Sequence, residues 1–228
     1  RWDHLELDGF IGPDSTKAVK LLLPKMQYCV NRKGYQVTSP TVYLNSAGGL
    51  LVDGFEMGRL FREHQVFAIL TQGQVCASAC ATAFTGAFVR VMEFDSQLMF
   101  HAPYLQLTSR SIDCSDRGQV GDLRDYFVEM LNEAEGAFLH ERTMDYCSQT
   151  DGWVLNADAA NLFGLANGMT LQNLDNASSI DLGSTLEQVR RVMQDEPVLM
   201  VLDKEPISEW HYCSTGQFSD YFLIFYFQ

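Results

Sequence analysis

The chain has 228 residues, of which 46% are hydrophobic and 20% charged, so it can bury the core of an α/β domain with or without an appendage. Its formal net charge of −13 argues against nucleic acids and anionic membrane surfaces as partners, because both require a basic face. The acidity indicates solubility first and, less strongly, a preference for basic or neutral substrates.

Six cysteines are spread along the chain without a CxxC pair and with few histidines nearby, which argues against a zinc site. We expect no metal and no dedicated cofactor. The even count permits disulfides, but it does not give their pairing. The cysteines, a first residue other than Met and the lack of a transmembrane run favour a periplasmic or secreted protein over a cytoplasmic one. The cysteines are Cys29, Cys76, Cys80, Cys114, Cys147 and Cys213.

The first part of the chain predicts a short strand and a helix. Apolar residues between Leu5 and Phe10 indicate the strand. A polar N-cap sequence at Asp14–Thr16 then opens a helical apolar pattern that runs to Val30. A basic stretch that ends in Gly34 closes this helix.

The middle of the chain alternates strands with helices. Strands are predicted at Thr41–Leu44, Val66–Thr71 and Leu98–Phe100. An amphipathic helix is predicted from Leu51 to His64. A second helix, whose side chains are small and apolar on all sides, is predicted from Ala77 to Phe88. This order implies parallel strands joined by right-handed crossovers.

The remaining sequence predicts a polar loop, a long helix, a short helix and a C-terminal region of helix and strand. Ser109–Gly118 is the loop, and Gln119–Asp145 reads as one amphipathic helix whose apolar face packs on the core or on another subunit. A short helix falls within Trp153–Leu165. Beyond these lie a linker at Gln172–Ser184, a helix at Thr185–Met193 and strand candidates at Pro197–Leu202 and Phe218–Phe227.

Three turns carry the groups that acyl transfer requires. Tyr43–Gly49 ends in a diglycine, Gly73–Cys80 places Ser78 between alanines at a helix start, and Leu98–Pro103 contains His101. A hydrolase uses such groups as oxyanion hole, nucleophile and base. Taken singly, Ser78 reads as a helix N-cap and His101 as a structural histidine, so it is their combination that indicates catalysis.

These segments resemble, in order and spacing, three motifs of the proteolytic subunit of the Clp protease and its ClpP/crotonase-fold relatives. Asn45–Gly49 matches the family's Asn-Ser-Pro-Gly-Gly, Gly73–Ser78 its glycine-to-serine turn, and Met99–Pro103 its Met-Ile-His-x-Pro. The similarity runs from about Val42 to Met169, which is over half of the chain. The resemblance implies that Ser78 is the nucleophile and His101 the general base.

The resemblance also implies an oxyanion hole and an acid. The backbone N–H groups of Gly49 and Ala79 correspond to the hole. The family's acid lies just before a stretch that resembles Gly152–Leu165, so Asp151 is the predicted third triad member. Asp145, at the end of the predicted long helix, is the alternative.

The chain departs from the family pattern in two places near these motifs. Ala47 stands where the family has proline, which loosens the turn. Cys76 and Cys80 flank Ser78 and read as small buried side chains, as partners of disulfides that would imply an oxidising compartment, or, less well, as a nucleophile. The related signal-peptide peptidases use a lysine base, but no lysine falls between the diglycine and Asp151.

We therefore expect an α/β chain with a ClpP/crotonase-like spiral of parallel-strand ββα units over residues 1–170. A C-terminal α/β extension without an assigned role is expected over residues 171–228. The expected function is that of a homo-oligomeric serine endopeptidase that cleaves peptides or unfolded proteins and has no membrane span. Two alternatives stay open, namely a non-catalytic assembly or binding protein and an esterase or acyl-CoA hydrolase on the same fold.

Overall fold

A curled, mostly parallel β-sheet with helices packed on it forms the centre of the computed structural model. The model describes residues 4–26, 40–108, 111–114, 117–118, 121–148 and 150–168. The elements predicted between Gln172 and Phe227, and the expected C-terminal extension, lie outside the described residues. Across the described ranges, no helix is both long enough and apolar enough to cross a bilayer.

The elements are numbered in chain order. The strands are β1 (His4–Ile11), β2 (Thr41–Gly49), β3 (Phe67–Leu70), β4 (Val75–Ala77), β5 (Val89–Met92), β6 (Gln97–Phe100), β7 (Tyr104–Thr108), β8 (Ser111–Cys114), β9 (Arg117–Gly118), β10 (Gly121–Asp122) and β11 (Trp153–Leu155). The helices are α1 (Pro13–Leu22), α2 (Leu51–Glu63), α3 (Ala79–Gly86), α4 (Leu123–Met130), α5 (Glu133–Met144) and α6 (Ala157–Leu162), with a 3-10 turn at Leu23–Lys25.

Strand β2 joins the two halves of the seven-stranded sheet. Its first residues, Thr41–Tyr43, pair with β3, and Ser46 further along pairs with β4. Because β1 occupies the other edge of β2 along most of its length, β3 and β4 follow one another on the same edge. One half is therefore β1-β2-β3-β5 and the other is β2-β4-β6-β11. All these pairs are parallel except β11 with β6.

The predicted strand and helix order of the middle segment is confirmed by β2, α2, β3, α3 and β6. All eight residues of α3 are buried, as its small apolar sequence predicts. The sequence analysis did not predict β4 and β5. Strand β4 has only three residues and leads straight into the Ser78 turn, so its sequence reads as part of that turn.

Two helix predictions were wrong in extent. Helix α1 ends at Leu22 instead of continuing to Val30, because Pro24 has no N–H to donate and its ring clashes with the preceding turn. The predicted helix Gln119–Asp145 is two helices, α4 and α5. Asn132 separates them, since its side-chain oxygen accepts the Glu135 N–H at 2.9 Å and thereby caps α5.

The predicted polar loop contains a β-hairpin. Strands β7 and β8 pair antiparallel, with Tyr104 opposite Cys114. A disulfide joins Cys114 to Cys147, which follows α5. The hairpin is thus covalently tied to the segment that leads to Asp151.

Helices α2 and α3 pack with their backbones in close contact through glycines. A Cβ atom on Gly86 of α3 would lie 2.2 Å from the carbonyl oxygen of Gly58 on α2. A Cβ atom on Gly54 would lie 2.7 Å from the carbonyl oxygen of Ala79, the first residue of α3. The glycine face of α2 therefore sets how closely α3 approaches α2.

The outer edge of β5 is covered by the last described residues. The backbone N–H of Arg90 donates to the Asn167 side chain, and its carbonyl accepts the N–H groups of Asn167 and Gly168. The Arg90 guanidinium, whose pKa burial lowers to about 10, donates to the carbonyls of Ala87, Gly164 and Leu165. These hydrogen bonds hold residues 164–168 against the edge of the sheet.

Replacing Gly86 by alanine should destabilise the protein. Helix propensity alone would favour the alanine by about 1 kcal/mol. The new methyl group would meet the α2 backbone, and such overpacking costs about 1–3 kcal/mol, so the steric term should dominate. Urea unfolding measures the change, with Glu63→Ala at the exposed end of α2 as the control. An unchanged or higher midpoint for Gly86→Ala would contradict the close helix contact.

Candidate active site

Ser78 lies in a sharp turn between β4 and α3 and has a backbone conformation that is unusual for a serine. Its φ is 55° and its ψ is −120°, although only glycine adopts positive φ readily. Its N–H donates to the carbonyl of Met99 on β6, and its own carbonyl accepts the N–H of Thr82. A strained strand-to-helix turn of this kind exposes a nucleophile at the end of a sheet.

The hydroxyl of Ser78 does not have the role that an N-cap serine normally has. Ser78 is the N-cap residue of α3, yet its side chain makes no capping hydrogen bond. Ser78 is half-buried. The N-cap interpretation therefore does not account for this hydroxyl, which is available for other chemistry.

The diglycine turn is shaped by Ser46. The Ser46 hydroxyl donates to the carbonyl of Gly9 on β1 and accepts the N–H of Gly48 at 3.0 Å. Gly48 has a φ of 104°, and a Cβ atom there would lie 2.7 Å from Ser78 Cβ and 3.1 Å from Ala79 N. The absence of a side chain at Gly48 lets the Ser78 turn pack directly against the diglycine.

The two predicted oxyanion-hole donors, Gly49 and Ala79, lie next to this contact between the diglycine and the Ser78 turn. Ala79 is the first residue of α3, where backbone N–H groups have no partner within the helix. The N–H of Leu50 donates to Ile11 on β1. Since successive amides of an extended segment point to opposite edges, the Gly49 N–H is directed away from β1, towards the edge where β4 and Ser78 lie.

His101 directly follows β6, the neighbour of β4. In the parallel register Ala77 is opposite Met99, so Ser78 and His101 both leave the sheet at the carboxyl ends of adjacent strands. The Nδ1 atom of His101 lies 3.0 Å from the Ala102 carbonyl oxygen. A carbonyl can only accept, so Nδ1 carries the proton and Nε2 is the basic nitrogen of the neutral ring. The Tyr104 ring covers the imidazole at a centroid distance of 5.7 Å.

Asp151 leads into β11, a strand that was not predicted from the sequence. Strand β11 pairs antiparallel with β6, with Trp153 opposite Phe100. Asp151 lies two residues before β11 and His101 directly follows β6, so both flank this antiparallel pair at the same end. A Cβ atom on Gly152 would lie 2.7 Å from the Phe100 carbonyl, so the glycine lets this segment run close against β6.

The side chains of the three predicted triad residues are not hydrogen-bonded to one another in the described structure. The Asp151 carboxylate accepts the N–H of Gly152 at 2.9 Å, and His101 Nδ1 is engaged by Ala102. The alternative acid, Asp145, is exposed and forms an ion pair with Arg142 at 3.0 Å. Asp151 is exposed as well, and Tyr146, next to Asp145, accepts the Ala102 N–H at 2.9 Å.

Cys76 and Cys80 form a disulfide with each other across the Ser78 turn. Both are fully buried. Neither is therefore a thiol nucleophile in this state. This pairing was not predicted from the sequence. The signal was their placement two residues before and two residues after a tight strand-to-helix turn.

Among the described residues no group of three or more His, Cys, Asp or Glu side chains is arranged to hold a metal ion. The site consists of a serine hydroxyl, an imidazole, a carboxylate and backbone amides. What this set can do chemically is acyl transfer through a serine.

Comparisons with known proteins give the fold. No protein-family model matches the chain, and no curated protein matches it significantly. Among solved structures, a ClpP1 point mutant from Listeria monocytogenes is similar with a TM-score of 0.51 and 15% identity, over 72% of this chain and 89% of that one. A mutant of the membrane-bound stomatin-specific protease 1510-N is similar with a TM-score of 0.52 and 14% identity, over 72% of this chain and 76% of that one. The expected fold class is confirmed: the chain has the ClpP-like fold.

Proposed function

We propose that the chain is a serine peptidase in which Ser78 is the nucleophile. The observation that carries the proposal is the strained turn. It presents a serine hydroxyl that makes no capping hydrogen bond beside the first amide of α3. The fold supports it, because the two similar solved structures are described as ClpP1 and a protease. The residue roles below are part of the proposal.

In the proposed reaction, Ser78 Oγ attacks the carbonyl carbon of a peptide bond while His101 Nε2 takes the hydroxyl proton. The carbonyl oxygen becomes an oxyanion that the N–H groups of Gly49 and Ala79 stabilise, each such donor being worth about 3–4 kcal/mol in the transition state of comparable enzymes. His101 then gives its proton to the leaving amine. Water then attacks the acyl-enzyme while His101 takes one of its protons. His101 returns this proton to Ser78 Oγ as the acyl ester bond breaks.

The proposed task of Asp151 is to stabilise the His101 cation that forms during attack. For this its carboxylate must turn from Gly152 to His101 Nδ1, replacing the Ala102 carbonyl as partner. Both present contacts are single local hydrogen bonds, and catalytic hydrogen bonds are often formed fully only in the substrate complex. The pairing of β11 with β6 supports the exchange, because Asp151 and His101 flank these strands at the same end of the pair.

The proposed substrates are peptides or unfolded proteins, and the proposed compartment is oxidising, either periplasmic or extracellular. Two disulfides among the described residues support this compartment, since such bonds persist where thiols are not kept reduced. A homo-oligomer is proposed as well. Exposed apolar side chains on β11 and α6, at Val154, Leu162 and Phe163, support a surface that another copy covers.

A second candidate is a non-catalytic protein on the same fold. The observation that favours it is the local bonding of His101 and Asp151, which leaves the triad unassembled in the present structure. Reactivity of Ser78 separates the two candidates. An esterase would hydrolyse a small activated ester without cleaving peptides, so both substrate types belong in the assay.

Ser78→Ala should abolish labelling of the native chain by a fluorophosphonate probe, because the probe requires an activated serine. His101→Ala should slow labelling by about 10²–10⁴-fold, since it removes the general base. The measurement is the second-order labelling rate followed by gel fluorescence. His64→Ala, which lies at the far end of α2, is the matched histidine control and should label at the native rate. A folded native chain that does not label between pH 5 and 9 would favour the non-catalytic candidate.

Asp151→Asn should lower kcat for a peptide substrate by about 10²–10⁴-fold, because a neutral amide cannot stabilise the imidazolium. Asp145→Asn is the matched control and should stay within about threefold of native, since it loses only an exposed ion pair. Steady-state kinetics on both variants tests the assignment. A large loss in Asp145→Asn with none in Asp151→Asn would transfer the role to Asp145.

A further inference from the structure

A covalent bond spans the residue that we propose as nucleophile. The disulfide joins Cys76, the second residue of β4, to Cys80, the second residue of α3, at a sequence separation of 4 and with 5.2 Å between their Cα atoms. Ser78 is the middle residue of the ring that the bond closes. Both cysteines are fully buried, so the bond belongs to the core beneath the turn.

The turn requires such a restraint because its conformation is unfavourable for serine. A non-glycine residue at φ 55° and ψ −120° relaxes unless its surroundings over-determine it. The side chains beside Ser78 are the methyl groups of Ala77 and Ala79, which offer little to pack against. The noncovalent anchors of Ser78 are its backbone bonds to Met99 and Thr82 and the Thr82 hydroxyl, which donates to the Ser78 carbonyl.

Global stability is a weaker explanation for this bond. In the chain-entropy account, the stabilisation by a disulfide grows with the logarithm of the loop that it closes. The Cys114–Cys147 bond spans 33 positions and the Cys76–Cys80 bond only 4, so the short ring contributes roughly half as much. Its distinctive effect is local, because it fixes the distance between the end of β4 and the start of α3.

We propose that Cys76 and Cys80 are positioning residues whose disulfide holds Ser78 and the Ala79 amide in the geometry for attack. The inference rests on the proposed function for its catalytic consequence. Breaking the bond lets the turn relax. The Ser78 hydroxyl and the first amide of α3 then move out of position together. Turnover therefore falls, whereas substrate binding along the rest of the site is retained.

The test compares the full native chain with Cys76→Ala/Cys80→Ala and with Val66→Ala. Val66 is fully buried in the same core but precedes β3, at the opposite end of the parallel strands, so it controls for lost core volume. For each chain we would measure the fluorophosphonate labelling rate, kcat and KM on a peptide, and amide exchange by mass spectrometry. The exchange is read in peptides covering residues 74–84 and 51–63.

For the double variant we expect labelling and kcat to fall about 10–100-fold at nearly constant KM, because small misplacements of reacting groups have effects of this size. Amide exchange should accelerate in residues 74–84 and stay unchanged in residues 51–63. Val66→Ala should lower the melting temperature but keep labelling within about threefold of native, since distant sites act independently. If the double variant does not fold, Cys80→Ala alone breaks the bond while removing one sulfur atom, and it is measured in the same way.

Two results would overturn the inference: native-like labelling of a folded chain without the bond, or slow labelling with unchanged amide exchange at residues 74–84. A native chain that does not label at all would refute the proposed function instead. Amide exchange would still decide the structural part in that case, because it does not depend on catalysis. Unchanged protection of the turn after loss of the bond would then show that the disulfide does not hold it.

Discussion

The backbone conformation of Ser78 is the constraint on which the site depends. A serine with positive φ at the junction of β4 and α3 is held only if its neighbours leave no room for relaxation. Gly48 supplies a surface without a side chain on one side, and Met99 supplies a carbonyl for the Ser78 N–H. The glycines of α2 then allow α3 to begin where the turn ends. Each of these contacts uses a small residue or a backbone group, which is why the surrounding sequence is rich in Gly and Ala.

Much of this arrangement was predictable from sequence, because it follows from local pattern. The Asn-Ser-Ala-Gly-Gly stretch, the serine between alanines and the histidine before Ala-Pro each end a strand and occur in order. Parallel strands bring such ends together at one edge of a sheet, so the juxtaposition of Ser78 and His101 follows from the topology. The role of Ser46 in holding Gly48 gives a physical reason for a serine in the first motif.

Other features could not be predicted, and the reasons differ. Strand β11 has three residues, and its position depends on antiparallel pairing with β6, a nonlocal contact without a sequence signature. The division into α4 and α5 had a signal in Asn132 with Glu135 three residues later, but the apolar period continues across the break and hides it. The orientations of His101 and Asp151 depend on competing hydrogen bonds of similar strength, which no sequence pattern ranks.

The way in which residues 164–168 close the edge of β5 also bears on how copies of this protein can associate. An open edge strand is a template for another strand, and a parallel sheet with a free edge can extend from molecule to molecule. Arg90 already has its N–H and carbonyl satisfied by Asn167 and Gly168, and its buried guanidinium secures the carbonyls of the same segment. At Arg90 a further strand would find no free donor or acceptor. Continuation of the sheet from one copy to another is therefore blocked at this point of the β5 edge.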